Sequence, residues 1–289
     1  MQSTISAAER RQYEAQGFLI VRQAFGAARI QSLVDAIERL IDRAQAGQTK
    51  IPWIGDPKNR TPERLSNLLN PDRYDAAYAN WLDEDLLPLI ESLLQSPVRH
   101  SLFGMLAGGG GKPYEQAWHH DLATPDLLHP AVFFDPEPFW FTQFNAPLRP
   151  HDRFLQIIPA SHNRRATPGE VEAYQKNSQG DLPGQMTVEM EPGDIAFYNA
   201  NLWHRGWNPK GELRWTMHAA YWRTDFTVMA HEVGQLESLL TPGHLDRLPP
   251  RTRATIQRYV EAYPKDAPQK IDEAIHDRIS KTKQKNQTR

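Results

Sequence analysis

The chain contains no cysteine. That single absence excludes disulfides, cysteine-ligated zinc, iron–sulfur clusters and cysteine nucleophiles together. No apolar run approaches the roughly 18 residues of a membrane span, so no membrane partner is expected. Excess charge is lacking as well: a net charge of −2 supplies no basic face for nucleic acid. Residues 1–17 are polar and carry Glu9, Arg10, Arg11 and Glu14, unlike a secretory signal, and the expected location is cytoplasmic.

What is present is enough for a full core: 39% hydrophobic and 10% aromatic residues in a chain of 289. Neither an internal repeat nor a linker-like stretch divides it, so residues 1–289 are read as one domain. Ser6 is placed to cap a helix through Tyr13 that Gly17 ends, and Phe18 to Val21 reads as a buried strand. Between Ala27 and Ala46, Ile30, Leu33, Val34, Ile37, Leu40 and Ile41 recur at three and four, which predicts an amphipathic helix. A turn of helix is expected at 65–69, and a helix at 82–94 that starts nearer Leu86 because Pro88 fits a first turn.

From Pro97 the texture changes to short β-like runs between turn signals, at 98–106, 138–146, 154–158, 185–190, 195–199 and 213–222. That pattern predicts an antiparallel sandwich or barrel. Gly108 to Gly111 reads as a strand connection at the sheet rim, since no Gly-Lys-Ser/Thr follows to make a phosphate cradle. Helical patterns return at 250–263, and 280–289 reads as a solvated, frayed tail. The expected fold class is mainly β with flanking helices (α+β). A core at about 97–225 follows a strand and helices at 1–96 and precedes a helical extension at 226–289.

The stretch Trp118-His119-His120-Asp121 carries the chemistry. Side chains alternate along a strand, so His119 and Asp121 share a face about 6.6 Å apart while His120 takes the other. With His204 as a distant third member, this is a 2-His-1-carboxylate set, the arrangement that leaves positions open on non-haem iron. A second His-x-Asp, at His244 and Asp246, stands in a Pro/Gly-rich region, and His244 is read as a surface or loop histidine. Asn208-Pro209-Lys210-Gly211 is a turn signal; a hairpin centred there sets His204 directly opposite Arg214, about 5 Å away. A buried arginine needs an anionic partner, and its planar fork suits a carboxylate.

His119-x-Asp121, His204 and Arg214 in this order resemble the Fe(II)/2-oxoglutarate-dependent oxygenases, specifically the phytanoyl-CoA dioxygenase-like family. The segment from Leu155 to His162 is similar to that family's Ile-Pro-Gly-Ser-His stretch, with Ala160 where Gly is usual. Glu191-Pro192-Gly193-Asp194 resembles the turn before the distal histidine, and Gly17 followed by Phe18 to Val21 resembles the family's start. The resemblance covers about residues 7–225 and implies a double-stranded β-helix, that is, a jelly-roll, cupin-like core. It implies Fe(II), 2-oxoglutarate as cosubstrate and O2, with ascorbate as a reductant. The implied reaction decarboxylates 2-oxoglutarate, releasing succinate and CO2, and hydroxylates an unactivated C–H of a small organic molecule, as in secondary metabolism.

By the same resemblance His119, Asp121 and His204 are the metal ligands and catalytic centre, Arg214 holds the distal carboxylate of the cosubstrate, and Gln116 is a further cosubstrate contact. Related halogenases have a small residue at the position of Asp121, so a carboxylate there argues against halogenation. Two other readings stay open: a metal-dependent cupin-type enzyme that uses no 2-oxoglutarate, and a non-catalytic jelly-roll binding protein. The sequence does not choose among hydroxylation, desaturation, epimerisation and ring formation, nor does it name the substrate or the oligomeric state. Trp118, His120, His162, Trp203 and Trp207 are read as structural, and Arg164 with Arg165 as a solvated loop pair. His218 shares a face with Arg214 and is read equally as pocket lining or structural, while Phe139 to Phe144 suggests an apolar pocket wall.

Overall fold

A computed structural model describes residues 4–122, 141–199, 201–263, 268–270, 273, 274, 277 and 280. The strands in chain order are β1 (Phe18–Val21), β2 (Val98–Gly108), β3 (Tyr114–Glu115), β4 (Phe141–Pro147) and β5 (Asp152–Ile157). They continue with β6 (Met186–Met190), β7 (Ile195–Tyr198), β8 (His204–Asn208) and β9 (Arg214–Arg223). Five form one sheet in the order β1-β7-β4-β9-β2, four form a second in the order β3-β8-β5-β6, and every pairing is antiparallel. The architecture is an antiparallel jelly roll with flanking helices: the strand texture predicts the antiparallel sandwich or barrel, and the resemblance implies its jelly-roll form.

Alternation along the larger sheet divides its residues between two surroundings. Phe103, Met105, Phe144, Phe197, Met217, Ala219 and Tyr221 point outward into the main core. There they meet Leu33, Ile37, Leu40 and Ile41 of α2 (Ala27–Gln45) and the leucines of α4 (Leu87–Leu94). The opposite face looks toward the smaller sheet and carries Gln143, Asn145 and His218, all of which line one cavity.

α1 (Ala7–Gln16) begins at a Ser6–Glu9 capping box and ends at Gly17, whose φ of 76° is the left-handed value glycine adopts freely. The helix expected to begin near Leu86 instead runs on from α3 (Ala76–Trp81) through a wide turn at Leu82–Leu86, where Leu87 N–H bonds Leu82 O. That wide turn accommodates Pro88, which has no N–H to give. No helix forms at 65–69. Leu65 lies antiparallel to Met105 through hydrogen bonds of 3.0 and 2.8 Å, so this stretch is laid across β2. The approach depends on Gly104, where a Cβ would come within 2.3 Å of Leu65 O.

α5 (Pro168–Lys176), which hydrophobic periodicity did not reveal, starts from a Thr167–Glu170 capping box. Arg164 is not a solvated loop residue: it grips the buried Glu170 carboxylate at 2.8 and 2.6 Å and so anchors that helix. Gly109, Gly110 and Gly111 all have positive φ and turn β2 into β3. In the extension, α6 (Leu236–Leu239) and α7 (Pro250–Ala262) contribute Leu239, Ile256 and Tyr259 to the main core. His244 is buried, not on the surface: its Nε2 meets Leu69 O at 2.7 Å and its ring stands edge-on to Tyr74. The expected start of β4 at 138–140 and the tail at 281–289 lie outside the described residues.

Two stability measurements test this packing. Ala at Gly104 should destabilise the fold by about 1–3 kcal/mol, the usual range for overpacking, in denaturant unfolding; an unchanged midpoint would contradict the close approach. Burial lowers the pKa of both His100 and His162 to about 4, below the ordinary value of 6.5. Protons therefore bind the unfolded chain preferentially, and stability falls as pH drops from about 6.5 toward 4. The expected loss at pH 5 is roughly 2 kcal/mol per histidine relative to neutral pH, and His162→Phe should reduce the slope of stability against pH.

Candidate metal centre

The centre rests on one backbone contact. Residue 119 pairs with residue 204 across an isolated antiparallel bridge, each N–H bonding the other's carbonyl at 3.1 Å. Directly opposed residues share a face, so both imidazoles project the same way, with ring centroids 4.3 Å apart. Alternation returns Asp121 to that face, and its Oδ1 lies 3.6 Å from His119 Nε2 and 3.7 Å from His204 Nε2. The three donor atoms lie within 4.8 Å of one another, making the only such His/Asp/Glu group among the described residues.

The remaining ring nitrogens show which atoms could coordinate a metal. His119 Nδ1 lies 2.9 Å from Ala117 O, and His204 Nδ1 lies 2.9 Å from Leu202 O. A carbonyl only accepts, so each Nδ1 carries the proton and each Nε2 presents its lone pair. Burial and then the adjacent His119 imidazole lower the His204 pKa to about 4, which keeps that ring neutral. Gln143 Nε2 donates to Asp121 Oδ2, leaving Oδ1 toward the histidines. Metal–ligand bonds of about 2.1 Å put neighbouring ligand atoms roughly 3 Å apart, so the set closes on an ion with little movement.

His120 faces away, its ring tilted against Trp203 at 4.3 Å with Nδ1 2.5 Å from Asn201 O. Trp118 and Trp203 are buried, and Trp118 and Trp207 sandwich the buried Arg205 at 4.6 and 3.9 Å. His162 reaches Glu14 O at 3.0 Å and ties its loop to α1.

Arg214 lies in the same cavity as the three residues, although not by the expected hairpin. β8 pairs with β3 and β5, while Arg214 on β9 pairs with Gly108 in the other sheet. The turn after Asn208, whose side chain bonds both N and O of Glu212 at 2.9 Å, carries the chain from sheet to sheet. Arg214 Nε lies 3.0 Å from Thr216 Oγ1 and 3.9 Å from Asp152 Oδ2, and Thr216 in turn donates to Asp152. The guanidinium is thus steered from its Nε side, and its two terminal nitrogens are the part that can meet a carboxylate.

Gln116 also lines this cavity of about 180 Å³. Its Oε1 accepts from Gly206 N at 2.7 Å, so only its NH2 can face a ligand. A Cβ at Gly206 would sit 2.6 Å from the Tyr114 ring and 2.9 Å from Gln116 Oε1, so glycine there keeps room for both. His218 is pocket lining: Nδ1 meets Phe144 O and Asn145 Oδ1, each at 3.0 Å, which leaves Nε2 toward the cavity. Burial, then the nearby Arg64 charge, lower the His218 pKa to about 3.

The expected apolar wall is corrected. Phe139 lies outside the described residues, Phe141 stacks on Trp222, Phe144 is in the outer core, and Gln143 and Asn145 face the cavity. The signal was available, because Gln143 and Asn145 alternate with the apolar residues of β4. Arg64, also on the cavity, had no sequence signal: nothing local tells that its segment lies across β2.

A jelly roll with a cavity at which two histidines, a carboxylate and an arginine converge is a cupin-like fold with a candidate metal centre. The chain belongs to the phytanoyl-CoA dioxygenase (PhyH) family, whose model matches residues 13–209. No curated protein matches it in sequence. Among solved structures it is similar to EctD from S. alaskensis with 2-oxoglutarate and 5-hydroxyectoine (TM-score 0.56, 17% identity, 76% of this chain and 77% of that one). It is also similar to HygX from Streptomyces hygroscopicus with nickel and 2-oxoglutarate bound (0.57, 18%, 78% and 89%). A third is SnoK, a non-heme alpha ketoglutarate dependent carbocyclase from nogalamycin biosynthesis (0.56, 16%, 85% and 92%). At these identities the likeness is one of fold.

A metal titration tests the geometry. His119→Ala and His204→Ala should each abolish binding of one divalent ion per chain, read by calorimetry with Fe(II) or Ni(II), whereas His244→Ala should retain it. Retention by both site variants would show that the ion sits elsewhere.

Proposed function

We propose that this protein is a non-haem Fe(II)/2-oxoglutarate-dependent dioxygenase that hydroxylates an unactivated C–H of a small organic metabolite. One observation carries the reading: His119 Nε2, His204 Nε2 and Asp121 Oδ1 converge in the cavity that also holds the buried Arg214. Three protein ligands leave positions open on a six-coordinate ion for cosubstrate and oxygen. Iron, when bound, supplies activation of O2 coupled to the decarboxylation of 2-oxoglutarate, with succinate and CO2 released.

The roles of the chain's own residues follow from chemistry already described. His119, Asp121 and His204 hold the ion, and the carbonyls of Ala117 and Leu202 fix the tautomers of the two imidazoles. Gln143 orients Asp121. Arg214 holds the distal carboxylate of 2-oxoglutarate, with Phe154 lying 5.3 Å beneath its guanidinium to keep water from that pair. The Gln116 NH2 is the further cosubstrate contact. Ascorbate serves as external reductant to keep the iron ferrous. Arg214, directed by Thr216 and Asp152 into the metal cavity, favours this reading over a cupin-type enzyme without 2-oxoglutarate and over a binding protein without catalysis.

SnoK is titled a carbocyclase and the related SnoN an epimerase, and both are alpha ketoglutarate dependent. Hydroxylation is proposed here because it needs only the shared machinery and no second substrate group held near the metal.

The test is turnover of 2-oxoglutarate to succinate by purified protein with Fe(II) and ascorbate, stopped by chelation. Arg214→Ala should raise the 2-oxoglutarate requirement by the equivalent of about 2–5 kcal/mol, the range for removing one member of a charged, hydrogen-bonded pair. An unchanged requirement would remove Arg214 from the cosubstrate, and no turnover with correctly bound iron would refute the activity.

A further inference from the structure

Next to the metal cavity lies a larger one, of about 340 Å³, near the lower end of the range for small-molecule sites. Segment 64–67 and β2 form two of its walls, and His231, Gly234 and Gln235 of the C-terminal extension form a third. A further cavity of about 280 Å³ opens on the side of Tyr114 and Arg214. Arg64 lines all three, so its side chain stands where they meet.

Three cations near Arg64 in sequence or on its cavities are engaged. Arg60 pairs with Glu38 and Asp42 at 2.6 and 2.7 Å, Lys112 with Glu63 at 2.7 Å, and Arg73 bonds Ser66 O at 2.6 Å. Arg64 has no hydrogen-bond or ion-pair partner among the described residues. The acid on the large cavity, Glu232, places its Oε2 on Arg99 at 2.9 Å and on Met229 N at 2.9 Å, and makes no contact with Arg64. His218, on the wall shared with the metal cavity, stays neutral under burial and the Arg64 charge.

The Arg64 side chain is exposed, but its backbone has a fixed place, because its neighbour Leu65 is bonded to Met105 on both sides and Gly104 lets that backbone approach β2. Gly104 is also the cross-strand partner of His218, so the backbone beside Arg64 is tied to the strand pair that carries the metal-side wall.

Resting on the dioxygenase reading above, we propose that Arg64 is a specificity-determining residue that binds an oxyanion of the primary substrate, a carboxylate or phosphate, while the substrate's body occupies the larger cavity. Arg214 takes the cosubstrate carboxylate and Arg64 takes the substrate's, so each anion has its own cation. The substrate class is a small organic acid or phosphate ester. The extension lies beyond the family match at 13–209 and supplies the cavity's far wall, so it shares in choosing the molecule.

The experiment uses full-length protein loaded with Zn(II), with and without saturating 2-oxoglutarate. Calorimetric titrations compare benzoate, phenyl phosphate and the neutral benzamide as probes. One or both anions should bind about tenfold or more tightly than the amide, the scale of a charged hydrogen bond, and their relative affinities decide between carboxylate and phosphate. Arg64→Gln should abolish the preference and Arg64→Lys should restore part of it. Equal binding of acid and amide, no binding of either anion, an unaltered preference in Arg64→Gln, or displacement of 2-oxoglutarate by the anion would each overturn the assignment. If 2-oxoglutarate itself fails to bind, the dioxygenase reading falls, while the anion preference and its loss in Arg64→Gln are still read in the titration without it.

Discussion

The candidate site depends on the antiparallel bridge between residues 119 and 204. Two backbone hydrogen bonds of 3.1 Å set residues far apart in sequence side by side, and the pleat then points both imidazoles into one space. The bridge is held from several directions. β8 lies between β5 and β3, Gln116 bonds Gly206 through both backbone and side chain, and His120 packs against Trp203 behind the site. Sliding the register by one residue would turn His119 to the back and bring His120 forward, so these contacts decide what the site can bind.

The larger sheet does two jobs with its two faces. Its outer face is apolar and packs against α2 and α4, which is where most of its hydrophobic stabilisation arises. Its inner face buries polar side chains, which is tolerated because they are paired. Gln143 donates to Asp121, His218 meets Asn145, and Arg214, Thr216 and Asp152 form a chain. Each pair aims a side chain at the cavity, so the groups that make the inner face affordable are the same groups that give it direction.

The sheet texture after Pro97 and the His119/Asp121 alternation were legible because both rest on the two-residue period of a strand, which is local. The distant His204 and Arg214 were legible as residues but not as geometry. Turn chemistry at Pro209 shows that the chain reverses, but it does not show which sheet each arm joins, and the expected hairpin was replaced by a crossing between sheets. The inner surface came out right all the same, because both strands border the space between the sheets. Gln143 and Asn145 are less conspicuous in the sequence than the aromatic run from Phe139 to Phe144, which overlaps the start of β4. Arg64 and the burial of His244 could not have been read locally, since both depend on segments packed against strands or loops remote in sequence.

The central claim is that the three converging side chains and Arg214 act as one binding site for a metal ion and a 2-oxo acid. The most direct measurement is an anaerobic calorimetric titration of 2-oxoglutarate into the protein carrying Fe(II), repeated after the metal is removed. The account predicts binding of one 2-oxoglutarate per chain with iron present and its loss, or a large fall in affinity, without it. Equal affinity with and without metal, or no binding to the iron-loaded protein, would contradict the account.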